Sequence, residues 1–483
     1  MLGIGAACAF VLSAAPRPEV FVDARDPTYV PGAARTSVHG EVGLGLGAGM
    51  MREDPFFVLA PYLALDFSNR APVWLRIGAP IRLRLVDRAP DDPGVVRRPD
   101  YDEVGDYLAM LETFAYRDDL AFWRHGRVRI DLWVGPLDRA ELPSRMLVAD
   151  LVNGADLDRR RSGLAWSGRV EGRLVGRPAA LGWQVLATDL AMGQVIGGAV
   201  ETSWAGAFVA FEGAGDPTAP HGLERDVLDD DRFHLEHGRT LVAQGRRGVG
   251  GMVLSAGYRY DDQWRVVVGP RLDLVSMPGL GRGLAFFLRS EFRLGPARDV
   301  ALGVDAGVTY GDDDFEPAYF GALYVLERWQ MPFSPGRRAA DLGAVAVPKR
   351  AFVDREDVGG VGGRGRMRLR VGRIVELSAG YGWRPGPLGA QFDAGLALDL
   401  ASARLEGRVV HRGRHGFGFW DPAGTLARLR LVVPVVRWVD VAAEATLAGA
   451  MRPDDDATNT AAPTGFMGSA GAFFATVVGK VPW

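Results

Sequence analysis

The sequence predicts an all-β protein: a single closed, antiparallel, up-and-down transmembrane β-barrel of about 20 strands, with an even number between 16 and 22. Three observations predict this fold. Apolar and polar residues alternate with a period of two in many separate stretches, these stretches are long for strands, and short turns alternate with long polar connections.

Residues 73–85 show the alternation best. Apolar side chains fill one face of this stretch, while arginines share the other face with glycine and proline. Such a strand needs water on one side and lipid or a protein core on the other. Pro80 cannot donate a backbone hydrogen bond, so it predicts a bulge or a locally unpaired position. The two-faced pattern recurs in residues 122–134, 284–294, 388–400 and 439–447.

The length of the alternating stretches separates two kinds of β protein. Most of them run for 9 to 13 residues. Strands of soluble proteins most often have five or six residues, whereas a tilted strand that spans a membrane needs about 9–11. Charges of both signs also recur on the polar face, and a dry sandwich core could not accept them. Length and charge therefore favour a membrane-spanning barrel over a soluble sandwich.

Strand parity assigns candidate residues to the two sides of the barrel wall. The apolar parity is predicted to face lipid, and its candidates are Leu75, Ile77, Ile81, Leu83, Ile130, Leu132, Phe286 and Leu398. The polar parity is predicted to face a wet lumen, and the candidates for its constriction are Arg76, Arg82, Arg84, Arg127, Arg129, Arg265, Arg271, Arg289, Arg293, Arg366, Arg368 and Arg370.

The connections are predicted to differ in length between the two ends of the barrel. Short turns are expected at positions such as 117–119 and 401–402, and segment 329–344 is too long for the side on which it falls. That segment is either a missed strand or a segment packed in the periplasm or the lumen. Residues 135–161 and 329–363 are long enough to fold inward. The predicted long external loops are 87–104, 135–161, 214–248, 354–363, 412–424 and 449–468.

The N-terminal residues divide into a signal and a short spacer. Residues 1–15 form an apolar run that ends in small residues, which predicts a secretory signal peptide. Residues 16–35 are then a short periplasmic segment, and residues 36–483 are the barrel. The single cysteine, Cys8, lies within the signal, so the mature chain is expected to have no disulfide and no thiolate metal site.

The C-terminal residues carry a resemblance to a known class. Phe473, Val477, Val481 and Trp483 share one parity and end in an aromatic residue. This resembles the assembly signal of Gram-negative outer-membrane β-barrels, although Pro482 departs from the usual pattern. The resemblance implies an outer-membrane location, contact with its lipid and lipopolysaccharide, and recognition by the barrel assembly machinery.

Two internal segments resemble parts of a large porin-like group of such barrels. They are Asp100-Tyr101-Asp102-Glu103 and Phe315-Glu316-Pro317-Ala318-Tyr319-Phe320. This resemblance implies no particular activity. Only about 20 residues separate the signal from the first strand, which argues against the plug domain of a TonB-dependent transporter.

The sequence predicts no cofactor, no metal site and no enzyme activity. Three Asp triplets fall in predicted loops, where consecutive carboxylates usually point apart. The motif Gly360-Val361-Gly362-Gly363-Arg364-Gly365 opens an arginine-rich strand rather than a helix, so it does not predict nucleotide binding. A net charge of −3 gives no reason to expect nucleic acid as a partner.

Three functions stay open on sequence alone. The first is a porin-like channel for small solutes, with anions favoured by arginines in the lumen. The second is a closed or plugged barrel that serves as a surface anchor or receptor component, and the third is a lipid-modifying enzyme of the outer membrane. If the arginines are instead paired with carboxylates across strands, their field largely cancels and they brace the wall.

Overall fold

The structure is a computed structural model. It describes residues 39–51, 54–67, 73–86, 104–122, 126–137, 139–154, 161–220, 233–236, 240–243, 248–261, 266–294, 300–312, 314–328, 331–333, 345–353, 358–372, 374–384, 389–400, 402–413, 424–436, 438–449 and 470–482. The predicted signal peptide and the segment 16–35 lie outside these residues.

One antiparallel sheet contains twenty barrel strands, because two of the twenty are each split into two segments that pair with the same neighbour. Their bounds, in chain order, are β1 His39–Met51, β2 Asp54–Asp66, β3 Val73–Gly78 with Ile81–Arg84, β4 Leu111–Phe122, β5 Gly126–Gly135, β6 Gly163–Leu174, β7 Arg177–Ala187, β8 Ile196–Trp204, β9 Ala207–Asp216, β10 Val249–Tyr258 with Tyr260–Asp261, β11 Val266–Met277, β12 Gly281–Leu294, β13 Val300–Gly311, β14 Gly360–Val371, β15 Val375–Trp383, β16 Ala390–Leu400, β17 Ala403–Gly413, β18 Thr425–Val436, β19 Val439–Ala448 and β20 Ala470–Pro482.

The sheet closes on itself, because β1 pairs along its length with both β2 and β20. Every other barrel strand pairs with the strands before and after it in sequence. The fold class and the even strand number predicted from the alternation are therefore confirmed. The predicted irregularity at Pro80 is also present, since β3 is interrupted between Gly78 and Ile81.

The two ends of the barrel differ in the length of their connections. At the end where β1 begins and β20 finishes, no connection between strands exceeds six residues. At the other end, connections reach the lengths of segments 85–110, 217–248 and 312–359. This asymmetry is typical of outer-membrane barrels, whose short turns face the periplasm.

Three helices and two small hairpins complete the described secondary structure. The helices are α1 Val104–Leu108, α2 Tyr324–Glu327 and α3 Lys349–Val353. One hairpin pairs Phe233–Glu236 with Thr240–Ala243, and the other pairs Met331–Phe333 with Val345–Val347. Within the described residues, no helix is long and apolar enough to cross a membrane.

Two connections fold into the barrel. The first inner loop comprises the described residues between 136 and 154, after β5. The second inner loop comprises the described residues between 314 and 353, after β13, and includes α2 and α3. Both are deeply buried, and together with inward residues of the wall they form the largest apolar cluster among the described residues. The barrel thus encloses a small hydrophobic core of its own.

Several predicted boundaries need correction. The turn predicted at 117–119 is wrong, because these residues lie within β4 and pair with β5. The predicted loop 354–363 extends too far along the chain, because Gly360 already pairs with Gly311 at the start of β14. Strands β9 and β17 also continue to Asp216 and Gly413, beyond the predicted starts of loops 214–248 and 412–424.

Segment 329–344 proves to be part of the 312–359 connection at the long-loop end, so the alternation of short and long connections holds there. Its described flanks form the small hairpin of the second inner loop. The described residues of this connection that lie on both sides of the segment, 314–328 and 345–353, pack inside the barrel.

Candidate functional site

The first inner loop crosses the lumen from wall to wall. At one side, the backbone N–H of Ser144 donates to Glu212 on β9 at 2.6 Å. At the other side, Arg428 on β18 donates to the carbonyl oxygen of Gly154 at 2.6 Å. Strands β9 and β18 lie almost halfway around a twenty-stranded barrel from each other. The loop therefore narrows the barrel at the level of these contacts.

A buried carboxylate on the wall fixes the tip of this loop. The Ser144 hydroxyl donates to the second oxygen of Glu212 at 2.6 Å, and Arg271 on β11 donates to the first oxygen at 3.0 Å. Arg271 also donates to the carbonyl oxygen of Pro143 at 2.7 Å. Because Glu212 has no exposed surface, these charge-assisted bonds satisfy a group that would otherwise be costly to bury.

Asp150 of the first inner loop lies among four arginines. Its carboxylate is 3.1 Å from Arg366, 3.4 Å from Arg364, 3.7 Å from Arg139 and 4.0 Å from Arg408. Arg364 and Arg366 belong to β14, Arg408 belongs to β17, and Arg139 belongs to the loop itself. The carboxylate side chain is only 6% exposed, so these pairs are screened little by water.

Other acids balance the same arginines. Glu141 is 2.8 Å from Arg145 and 3.3 Å from Arg366. Asp393 on β16 is 2.9 Å from Arg408 and 3.5 Å from Arg139. The constriction is therefore a mixed ring of charges, in which the excess of arginine on the strands is offset by acids of the loop and the wall.

The charge of Asp150 is stable to moderate acid. Burial alone raises the pKa of its carboxyl, but the guanidinium groups of Arg366, Arg408 and Arg145 lower it far more, and the net pKa lies well below the ordinary value. Burial and the nearby Arg408 lower the pKa of Arg139 to about 10, which leaves it charged at neutral pH.

This pKa direction predicts how the loop responds to pH. A carboxyl whose pKa is depressed on folding contributes stability that is present above its unfolded value of about 3.9 and is lost only as the pH falls towards the folded value. We expect amide exchange of residues 146–152, corrected for the intrinsic effect of pH, to be unchanged between pH 7 and pH 5. Faster exchange at pH 5 would contradict the depressed pKa of Asp150.

The second inner loop is joined to the first by backbone hydrogen bonds. The N–H of Ala318 donates to the carbonyl of Met146 at 2.7 Å, and the N–H of Phe320 donates to Leu147 at 3.0 Å. The fully buried rings of Phe315, Tyr319, Phe320 and Tyr324 then pack against the apolar side of the first loop. The two loops consequently form one packed unit.

Four buried charges anchor this unit to the wall. The ammonium of Lys349 is 2.7 Å from Glu327 and 3.1 Å from Glu316. Arg412 on β17 is 2.8 Å from Glu327 and 3.0 Å from Glu316. Although burial raises the pKa of Glu327, Arg412 and Lys349 lower it below its ordinary value, so the carboxylate stays charged. We call these four residues the buried quartet.

A further anchor lies at the end of β9 that leads into the long connection 217–248. Asp216 has no exposed side-chain surface, accepts from the hydroxyl of Tyr324 at 2.9 Å and pairs with Arg328 at 2.6 Å. Burial and the Asp216 carboxylate raise the pKa of Tyr324 well above its ordinary value, so its hydroxyl remains a donor. The second inner loop is thus bonded to opposite parts of the wall, β9 and β17.

The predicted lumen arginines are mostly ion-paired. At least nine of the twelve lie within 4 Å of a carboxylate: Arg76 with Glu112, Arg84 with Asp54, Arg127 and Arg129 with Asp119, Arg271 with Glu212 and Asp273, Arg289 with Asp305, Arg293 with Glu291, Arg366 with Glu141 and Asp150, and Arg368 with Glu376. Arg82 lies over the ring of Phe474 at 5.3 Å, Arg370 lies on β14, and Arg265 is outside the described residues.

The predicted lipid-facing residues occupy the opposite parity. Ile77 and Phe286 are exposed, at 43% and 54%. The remaining six, Leu75, Ile81, Leu83, Ile130, Leu132 and Leu398, are half-buried and none is fully buried. Large exposed apolar side chains occur on this parity around much of the barrel, for example Leu44 on β1, Phe211 on β9 and Leu274 on β11. An apolar outer surface of this extent suits lipid.

The C-terminal residues lie on the strand that closes the barrel. Phe473, Val477 and Val481 are on β20, where they are exposed on its outer face and pair in register with Met50, Leu46 and Val42 of β1. Trp483 lies outside the described residues. Their recognition by an assembly machinery stays a prediction.

Sequence reasoning missed the loop residues of the constriction, namely Arg139, Glu141, Ser144, Arg145 and Asp150. A signal was available, because residues 142–152 contain Leu142, Met146, Leu147, Val148 and Leu151 within a connection classed as polar and external. Apolar residues at such density in a loop indicate burial.

The chain was compared with protein families, with curated proteins and with solved structures, and only solved structures are similar to it. No protein-family model matches the chain, and no curated protein matches it. Among solved structures, the chain is similar to the siderophore receptor PirA from Acinetobacter baumannii, with 9% identity, 93% of this chain and 81% of that chain covered, and a TM-score of 0.37. It is also similar to a BenF-like porin from Pseudomonas fluorescens Pf-5, with 10% identity, coverage of 93% and 100%, and a TM-score of 0.35.

A third similar structure is OpdK from Pseudomonas aeruginosa with vanillate, at 11% identity, with 93% of this chain and 100% of that chain covered and a TM-score of 0.30. Within the described residues, no group of three or more His, Cys, Asp or Glu side chains is placed to hold a metal ion.

Proposed function

We propose that the protein is a porin-like channel of a Gram-negative outer membrane, which passes small solutes through a constriction formed by the first inner loop. The observation that carries the proposal is the path of this loop from β9 to β18, with charged side chains of both signs around it. An inserted loop that narrows a wide barrel can limit the size of a solute while the rest of the lumen stays wet.

Exposed charges beside the constriction support a water-filled path. Arg430 on β18 and Glu444 on β19 are register neighbours near the middle of their strands, and both are exposed. They share the inward parity of the buried Asp440. Closer to the short-turn end, Arg289 is also 46% exposed despite its pair with Asp305. These three side chains therefore keep exposed surface within the interior of the barrel.

Paired charges at the constriction favour weak selectivity between anions and cations. Because most lumen arginines have a carboxylate within 4 Å, their net field along the path is small. Arg84 pairs with Asp54 and Arg82 lies over the ring of Phe474, so replacing both by Glu is expected to affect the stability of the wall more than ion selectivity.

The channel proposal is tested by removing the constriction. Replacing residues 141–150 with a short Gly-Ser linker should raise single-channel conductance severalfold in planar bilayers, because the loop no longer crosses the lumen. The matched control replaces residues 190–193, at the exposed tip of the β7–β8 connection on the same end, and should leave conductance unchanged. Equal conductance of both variants and the parent would contradict a constriction at this loop.

A closed barrel is the second candidate, and the packing of the two inner loops favours it. Their shared core is fully buried at Leu142, Leu147, Phe320 and Tyr324, as in a compact domain. If purified, folded protein shows no conductance and only the 141–150 variant conducts, the parent barrel is closed and serves as an anchor or receptor component.

A further inference from the structure

The surroundings of Asp150 have the composition of an anion-binding site. Arg364, Arg366 and Arg408 project from two strands of the wall, and Arg139 approaches from the loop. Arginine is the side chain best suited to bind a carboxylate, because its planar fork of donors matches the two oxygens. A small carboxylate ion that took the place of the Asp150 side chain would have the same four arginines as partners.

The loop delivers its own carboxylate to these arginines from a left-handed backbone conformation. Asp150 has φ = 55° and Arg145 has φ = 60°, in the left-handed region that residues other than glycine seldom occupy. Such a conformation persists only when surrounding contacts impose it. Further bonds hold the same backbone, since Arg408 donates to the carbonyl of Asp150 at 3.1 Å and Arg364 donates to that of Arg145 at 3.1 Å.

We propose that Asp150 is a tethered anion that occupies a carboxylate-binding site on the barrel wall, and that it sets the charge selectivity of the lumen at this level. Glu141 and Asp393 also face Arg366, Arg408 and Arg139, but each of them contacts fewer of the arginines than Asp150 does. Loss of the Asp150 charge leaves the strand arginines in excess and exposes a site for a small carboxylate.

Binding at this site is tested by chemical rescue, which does not require the barrel to conduct. Asp150→Gly removes the carboxylate, leaves space for a formate ion, and suits the positive φ. Amide exchange of residues 146–152 should accelerate at least ~10-fold, because several buried guanidinium groups lose a partner. Sodium formate should then slow the exchange back towards the parent rate, whereas sodium chloride at the same ionic strength should not.

Asp150→Asn is the matched control for the rescue, because its amide fills the same space and Asn also accepts a positive φ. Formate should have no effect on this variant. If formate acts no better than chloride on Asp150→Gly, or acts equally on Asp150→Asn, there is no carboxylate site. If Asp150→Gly folds only with formate present and not with chloride, that result also supports the site.

The proposed role of Asp150 in charge selectivity rests on the proposed channel function and is measured by a separate experiment. In a KCl gradient, Asp150→Asn should move the reversal potential towards anions. Glu406→Gln removes the same charge beside Arg404 on β17, nearer the short-turn end, and should move the reversal potential less. Equal shifts would overturn the role of Asp150 in selectivity. A parent protein without conductance would refute the channel and this role of Asp150, and leave the formate result to decide the site.

Discussion

Replacing Lys349 by Met is expected to lower the free energy of local unfolding of the second inner loop by about 3–5 kcal/mol, because one partner of a buried charge network is lost. In the buried quartet, Lys349 and Arg412 offset Glu316 and Glu327, and no side chain of the four is more than 6% exposed. Met keeps the length and apolar stem of lysine but leaves two carboxylates against one guanidinium. Lys349 also lies 4.9 Å from the ring centre of Tyr319, and this cation–π contact would be lost as well.

Protease cleavage and amide exchange of residues 315–353 measure this effect, since the loop can open while the barrel stays folded. The double variant Lys349→Met/Glu327→Gln leaves one negative charge, on Glu316, paired with one positive charge, on Arg412. It should recover part of the lost free energy. Lys480→Met, which removes the only other lysine of the chain, is the control for the loss of one positive charge. A Lys349→Met variant with the parent's exchange rates would show that the quartet does not hold the loop.

Alternation was sufficient to predict the wall of the barrel. Each strand must place one face in an apolar surrounding and the other towards polar groups, and the period of two fixes which residues do so. Arg76 and Ile77 are adjacent in β3, yet Arg76 reaches Glu112 in the interior and Ile77 is exposed outside. Where a charged turn and a charged strand look alike, as at residues 117–119, the local pattern was not sufficient.

The interior of the barrel could not be predicted in the same way. Residues 139–146 of the first inner loop alternate in burial as a strand does, but the position of the loop depends on partners far away in sequence, such as Ser378 on β15 for Arg139 and Glu212 on β9 for Ser144. Strand parity identified arginines such as Arg366 but not the loop acids that neutralise them. A functional interpretation based on the strands alone therefore overestimates the positive charge of the lumen.

The two faces of the wall can be compared directly at neighbouring residues of β19. Ala443 lies on the outer parity between Leu431 and Ala475, and Ala442 lies on the inner parity between Val432 and Thr476. Both are half-buried alanines near the middle of the strand, so the same substitution adds the same side chain at nearly the same depth.

We expect Ala443→Arg to reduce the free energy of unfolding in lipid vesicles by about 2–4 kcal/mol, the usual cost of an arginine facing lipid near the bilayer midplane. Ala442→Arg should change it by less than about 1 kcal/mol, because its guanidinium reaches a wet lumen that already holds Arg430 and Glu444. Denaturant titrations of both variants in the same vesicles measure the difference. Equal losses would mean that the outer face does not contact lipid at this position, and a larger loss for Ala442→Arg would mean that the lumen beside β19 is closed to water and the barrel has no path for solutes there.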